Sequence, residues 1–320
     1  MSMQTGNEEG VIRLDGLRKS YGELMAVKDL SLDIYRGEIF GFLGPNGAGK
    51  TTAISMICGL LKKDAGEIRI DGRSLEEDYG RCKKTMGLCP QEIVIWESLT
   101  CLEQLEFTAR LYDVPRSVAR KRSLGLLGIF GLEEKKHKLA KTLSGGMKRR
   151  LNIALALVHD PQILILDEPQ AGLDPQSRIL VREYIRSLAK KKTVILTTHD
   201  MDEADRLAER IGIIDHGELL VLDTSDNLKD QIGSGDILEI KISGLQEEKI
   251  ARLRQNLPEN LRHLDYQHGN LRFVGCNIPD VLSDLLEKFK QIGLKIEDMT
   301  IRKKTLEDVF ISLTGRKLRE

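Results

Sequence analysis

The chain has 320 residues, 41% of them apolar, with 49 basic and 49 acidic side chains. That length exceeds one ordinary domain, so two are expected, each able to bury a core. A formal charge of zero provides no global attraction to nucleic acid or an anionic surface, and no nucleic-acid partner is expected. Local clusters such as Lys190, Lys191 and Lys192 read as solvated faces. Cys58, Cys82, Cys89, Cys101 and Cys276 are odd in number and form no C-x-x-C pair. That argues against disulfides or a zinc site and for a reducing cytosol. The polar start, MSMQTGNEEG, lacks a signal peptide's apolar core, and no run approaches the roughly 20 apolar residues that span a bilayer. The expectation is a chain soluble by itself that reaches a membrane only through a partner.

In chain order, the strand candidates are IRLDGL, SLDIYRGEIFGFLG, GEIRIDG, ILILDEP, TVILTTH and IGIIDHGELLVL. The continuous apolar runs ILILD and VILTT are expected of parallel strands covered on both faces. Residues of about 98–160 carry amphipathic helical stretches instead, such as LEQLEFTARLY and SVARKRSLGLLGIFGL. The pattern predicts an α/β domain over 11–233 with a helical subdomain inserted. GSG at 233–235 reads as a linker. ILEIKI, QEEKIARLRQNL, HLDYQH, NLRFVG, DVLSDLLEKFKQIG and LKIEDMTIRK then give the order βαββαβ, a small ferredoxin-like α+β domain over 236–320. Val281, Leu282, Leu285, Leu286, Phe289 and Ile292 make a helical stripe in it. A last helix, TLEDVFISLTGRKL, is expected to bury Leu306, Val309, Phe310 and Leu313 behind an N-cap at Thr305.

Between a strand at 38–44 and a helix lies GPNGAGKTT, residues 44–52, with the spacing G-x-x-x-x-G-K-[ST]. Gly44, Gly47 and Gly49 let the backbone turn so that its N–H groups converge on an anion at the helix start. Lys50 would reach the β- and γ-phosphates, and the Thr51 hydroxyl would ligate Mg²⁺. The helix would offer Ile54, Ile57, Cys58, Leu60 and Leu61 to one face. Phosphoryl transfer also needs a second metal anchor and a group that orients water. ILILDE at 163–168 supplies Asp167 for the first and Glu168 for the second. TLSGGMKRR at 142–150 is a second anion cradle, Ser144, Gly145 and Gly146 preceding a helix. Since the first cradle already serves one nucleotide, the second suits a nucleotide held by another chain.

The ordered set GPNGAGKTT, Gln91, LSGGM, ILILDEP, AGLD and His199, spread over about 11–225, resembles the nucleotide-binding subunit of an ABC transporter. The resemblance implies a P-loop NTPase core, ATP and Mg²⁺ as ligands, and ATP hydrolysis. It also implies a head-to-tail dimer, a homodimer or a pair with another ATPase, with two ATP molecules sandwiched. Each would lie between Lys50 of one subunit and Ser144 and Gly146 of the other. By the same resemblance Asn46 and Thr52 complete the phosphate loop, and Tyr21 stacks on adenine. Gln91 touches Mg²⁺ or the water, Asp174 communicates across the dimer, and His199 contacts the γ-phosphate. Met147 stands where the family commonly has glutamine, and Gln170 where threonine is frequent.

Those variants, and KKTLEDVFISLTG near the end, are similar to ATPases of ABC-2 type exporters of the daunorubicin-resistance kind. The implied location is the cytoplasmic face of the cell membrane, held by separate permease subunits. EIVIWESLT at 92–100, with the single tryptophan Trp96, would face the permease. Two alternatives stay open at this level. One is an importer ATPase with a regulatory C-terminal domain, and the other a soluble ABC ATPase outside transport. The gene neighbourhood discriminates, since an adjacent frame with about six apolar spans favours export.

Overall fold

Alternating apolar residues build the opening strands. β1 (Gly10–Tyr21) buries Ile12, Leu14 and Leu17 while Arg13, Asp15 and Arg18 face solvent, the period-2 pattern of a sheet covered on one face. It pairs antiparallel with β2 (Leu24–Tyr35) and β4 (Ala65–Ile70), and β5 (Arg73–Ser74) completes the order β2-β1-β4-β5. The computed structural model that carries these elements describes residues 10–243, Leu257, 261–267 and 270–315.

The second sheet has six strands. It contains β3 (Ile39–Leu43), β6 (Met86–Cys89), β7 (Ile163–Asp167), β8 (Thr193–Thr198), β9 (Arg210–Asp215) and β10 (Glu218–Asp223), in the order β10-β9-β3-β8-β7-β6. All neighbours are parallel except β9 and β10. Every residue of β3, β7 and β8 is buried, as a sheet covered on both faces requires.

Two long strand candidates divide. SLDIYRGEIFGFLG breaks into β2 and β3 at Gly37, whose φ is 79°, and the halves enter different sheets. IGIIDHGELLVL is a hairpin, because His216 and Gly217 have φ of 48° and 78°, both left-handed as a tight primed turn demands. β6 has no counterpart among the strand candidates, being four residues with a glycine inside. A Cβ on Gly87 would lie 2.0 Å from the Ala156 carbonyl oxygen and 2.8 Å from Pro161 Cγ. The helix backbone therefore rests directly on this strand.

Helices α1 (Lys50–Ile57) and α2 (Tyr79–Thr85) precede β6. α1 buries Ile54 and Ile57, but it ends there, and Gly59 (φ 67°) turns the chain so that Leu60 is exposed, unlike the expected face. The 98–160 stretch holds α3 (Cys101–Leu111), α4 (Arg116–Ile129) and α5 (Gly145–Leu157). Thr100 and Glu103 cap α3 reciprocally. Leu105, Ala119, Leu127, Phe130 and Leu151 share one core with Leu164 and Leu166 of β7. α6 (Pro175–Leu188) and α7 (Met201–Leu207) complete this unit. Cys58, Cys82, Cys89 and Cys101 are buried free thiols, and Cys276 is exposed. Burial pushes the Cys58 thiol up to about 12 and that of Cys89 up to about 11.

The chain divides into two compact units, the first ending at Thr224 and the second starting at Ser225. The division lies ahead of α8 (Ser225–Gln231) rather than at the 233–235 linker. α8 packs against α10 (Leu306–Thr314), and Lys304 donates to Asp230 and to the Gly233 carbonyl, both at 2.8 Å. In the second unit β11 (Asp236–Ser243), β12 (Leu261–Gln267), β13 (Asn270–Gly275) and β14 (Lys295–Arg302) run in the order β12-β13-β11-β14, antiparallel throughout. The helix expected over QEEKIARLRQNL lies outside the described residues. α9 (Ile278–Gln291) buries Leu285 and Phe289 of its stripe, but Leu286 is exposed. On α10, Leu306, Val309 and Phe310 are buried as expected, while Leu313 is exposed and Asp308 takes an inner place. Asp308 is held there by Arg302 at 2.7 Å.

Gly87→Ala should lower stability by about 1–3 kcal/mol, because the obstructing atom belongs to backbone. A urea denaturation midpoint compared with that of the native chain measures it.

Candidate active site

Register places the site. Leu43 pairs with Thr198 and Thr197 with Asp167 across the neighbouring strands β3, β8 and β7. All three strands run the same way, so Gly44, His199 and Glu168 leave the sheet at one edge. The loop after β3 is sterically confined to glycine. A Cβ on Gly44 would lie 2.1 Å from the Ile214 carbonyl oxygen, and one on Gly49 2.3 Å from that of Ala26. Gly49, with φ of 105°, stands at the N-cap of α1 and has no side chain to cap it. The first N–H groups of α1 are left to an outside acceptor, the arrangement that takes a phosphate.

Lys50 is folded back over this loop. Its ammonium donates to the Gly44 carbonyl at 2.6 Å and the Pro45 carbonyl at 3.2 Å, and lies 3.6 Å from Glu168 Oε1. Burial holds the Lys50 ammonium below the ordinary lysine value, while the carboxylates of Glu168 and Asp167 oppose that shift. The same Glu168 oxygen lies 3.0 Å from His199 Nδ1. Lys50, Asp167, Glu168 and His199 thus converge at one place, and the first three are almost wholly buried.

The backbone under the carboxylates is unusual. Glu168 has φ of 49°, in the left-handed region, which a side chain occupies at a cost of about 1–3 kcal/mol when its surroundings hold it there. Its N–H donates to Thr197 Oγ at 3.0 Å and to the Thr197 carbonyl at 3.2 Å. The Thr197 hydroxyl donates in turn to Asp167 Oδ1. Thr197 therefore supports both carboxylate residues, a role the sequence reading missed. It reads only as one more β-branched residue of a buried strand.

Thr51 is exposed at the start of α1, Thr52 half-buried beside it, and Asn46 and Gly47 exposed in the loop. Gln91 is exposed just past β6. Tyr21 is 51% exposed at the tip of the β1–β2 hairpin, with Lys19 Nζ 5.8 Å from its ring centre. Thr51, Asp167 and Gln91 offer only oxygen donors for a metal, the set that suits hard Mg²⁺.

The remaining expected residues form a second group. Ser144 caps α5, accepting from the Met147 N–H at 3.3 Å. Asp174 caps α6, accepting from the Ser177 N–H at 3.0 Å. A Cβ on Gly146 would meet Asp174 Oδ2 at 3.6 Å, so the turn of the second cradle and the Asp174 loop lie side by side. Gly145 and Gly146 open the helix without side chains, leaving its N-terminal amides accessible. Gln170, the other family variant, donates to Glu203, which also pairs with Arg182. Elsewhere on the same unit, Ile93, Val94, Trp96 and Phe107 form an exposed apolar cluster, with Trp96 and Phe107 edge to face at 5.4 Å. Among the described residues no helix is long and apolar enough to cross a membrane.

Residues 27–171 match the family model described as ABC transporter. A linearmycin resistance ATP-binding protein of Bacillus subtilis is 36% identical over 311 residues, covering 97% of this chain and 100% of the relative. The Nod factor export ATP-binding protein I of Ralstonia nicotianae is 36% identical, covering 97% of this chain and 95% of its own. A daunorubicin/doxorubicin resistance ATP-binding protein of Streptomyces peucetius is 35% identical, covering 95% and 92%. Among solved structures, the ATP-binding subunit of an ABC transporter matches with a TM-score of 0.65 at 29% identity, over 70% of this chain and 93% of that one. A dimeric, post-hydrolysis ATP-binding cassette bound to ADP and Pi matches with a TM-score of 0.62 at 29% identity, over 67% and 98%. Relatives matched along nearly their whole length, and a shared cassette fold, make this chain an ATP-binding, ATP-hydrolysing member of the ABC transporter family.

Proposed function

We propose that this chain is the motor subunit of an exporter, closing on ATP as a dimer and driving separate membrane subunits. The observation that carries the catalytic half of this reading is the meeting of Lys50, Glu168 and His199. A carboxylate fixed in place beside Lys50 and His199 is positioned to orient a water. In this reading Glu168 positions and polarises the water. A bond forms from the water oxygen to the γ-phosphorus, the bond to the β–γ bridging oxygen breaks, and ADP and phosphate leave. His199 holds the carboxylate and faces the γ-phosphate. Lys50 releases the loop carbonyls and takes phosphate oxygens. Thr51, Asp167 and Gln91 would hold Mg²⁺, which when bound neutralises charge on the β- and γ-phosphates. Tyr21 offers an accessible ring face for adenine.

The trans half rests on the second cradle. Ser144, Gly145 and Gly146 lie at the uncovered start of α5, a helix that does not follow the P-loop. A twin subunit, or a paired ATPase, arranged head to tail would bring its own nucleotide there. The solved cassettes of this fold include dimers. Dimer closure and reopening would transmit force through the exposed Ile93, Val94 and Trp96 cluster to a permease. That contact would hold the chain peripherally at the cytoplasmic face of the membrane. The exporter direction is supported by relatives named for resistance and for export, matched across both units. We read the two units accordingly as a nucleotide-binding domain and a small C-terminal α+β domain.

Glu168→Gln is expected to bind ATP, to lose about a hundredfold or more in turnover and to accumulate as an ATP-bound dimer, whereas Lys50→Ala weakens binding itself. Nucleotide titration, phosphate release and size-exclusion chromatography separate the two. Wild-type turnover by Glu168→Gln would falsify the water-orienting assignment. Lys50→Ala and Ser144→Arg homodimers should each be inactive, yet mixing them should restore activity, because one site of the mixed dimer keeps both wild-type halves. No recovery in mixtures shown to contain heterodimers contradicts the head-to-tail arrangement. Val94→Glu should leave ATP turnover of the isolated subunit unchanged and abolish copurification with the permease. An unchanged yield of complex would remove this cluster from the interface.

A further inference from the structure

Arg149, on the second turn of α5, is 2% exposed. Among the described residues it has no carboxylate within ion-pair distance. Its guanidinium instead donates to five backbone carbonyls. Nε reaches Pro169 at 3.3 Å. Nη1 reaches Pro90 at 2.6 Å and Gln91 at 2.9 Å. Nη2 reaches Asp167 and Glu168, both at 2.6 Å. A guanidinium has five N–H groups in a fixed planar fork, so each donor has one acceptor and none is left over. Burying an unpaired cation is expensive unless its donors are satisfied. Here they are satisfied entirely by two loops, the one that leaves β6 with Gln91 and the one that leaves β7 with Glu168.

Three functional segments meet at this side chain. α5 is capped by Ser144, the start of the second cradle. Gln91 and Glu168 lie on the other two. The Glu168 N–H donates to Thr197, and the carbonyl of its left-handed backbone accepts from Arg149 and, at 3.1 Å, from the Ala171 N–H. We propose that Arg149 is a positioning residue for ATP hydrolysis, fixing the backbones of Glu168 and Gln91 to α5 so that seating of the second cradle sets the water-orienting carboxylate. This rests on the assignment of Glu168 given above. Arg149 itself touches no substrate.

Arg149→Lys keeps the charge but carries a single ammonium where the fork stood. It is expected to bind ATP with an affinity within about threefold of wild type, keep its KM and lose about tenfold or more in kcat. A merely structural arginine would instead lower the melting temperature and leave the kcat of the folded fraction, measured against active-site titration, unchanged. That outcome overturns the proposal. The double variant Arg149→Lys, Glu168→Gln separates the two assignments. If Arg149 acts through Glu168, adding Arg149→Lys to Glu168→Gln changes the residual turnover by less than about threefold. A full additional tenfold loss on top of the roughly hundredfold loss of Glu168→Gln overturns the Arg149 proposal while the Glu168 assignment stands. Should Arg149→Lys fail to fold, Arg149→Gln is read in the same assays. If neither folds, Arg149 is a framework residue and the proposal is withdrawn.

Discussion

Parallel register between β3, β8 and β7 is the constraint from which the site follows. Those strands end level, with Leu43 beside Thr198 and Asp167 beside Thr197. Residues far apart in the chain, Lys50, Glu168 and His199, therefore converge without any long side chain having to search for its partner. Burial of all three strands on both faces makes a register slip costly, since it would misplace a whole row of apolar contacts. The chemistry of the edge thus inherits the rigidity of the core beneath it.

Rigidity also explains how a strained residue persists. Glu168 sits where most side chains do not, and its neighbours account for both of its backbone polar groups. Thr197 and Arg149 supply that frame from opposite sides. The Ala171 N–H also donates to the Glu168 carbonyl, at 3.1 Å, and a loop that lost these partners would relax toward ordinary dihedrals and re-aim the carboxylate. The same economy appears at Ser144 and Asp174. Each caps its helix through a side-chain oxygen while standing in the turns where a partner's nucleotide is proposed to lie.

Much of this was legible in the sequence, for a physical reason. A phosphate cradle needs backbone N–H groups from one short continuous segment, so its glycines and Lys50 must be neighbours along the chain. A carboxylate pair at a strand end has the same locality, and Asp167 and Glu168 stood out behind four apolar residues. Thr197 and Arg149 are different. Their importance lies in contacts across strands, and a threonine in VILTT or an arginine in MKRR carries no local mark of it. The phase of Arg149 with the buried Asn152 and Ala156 is the one sequence signal that could have set it apart from its neighbours. β6 was hidden by its brevity and by Gly87, whose missing side chain is a packing requirement. Leu286 and Leu313 were misplaced because helical spacing specifies a stripe, not its edges. Asp308 took the inner position beside Phe310 through its pairing with Arg302.

The distribution of sulfur has a practical side. In the first unit Cys58, Cys82, Cys89 and Cys101 are enclosed, and burial raises the Cys58 and Cys89 thiols, favouring the unreactive protonated form. A maleimide reagent consequently meets a single reachable sulfur, Cys276. The native chain comes with a built-in attachment point for a fluorophore on its second unit.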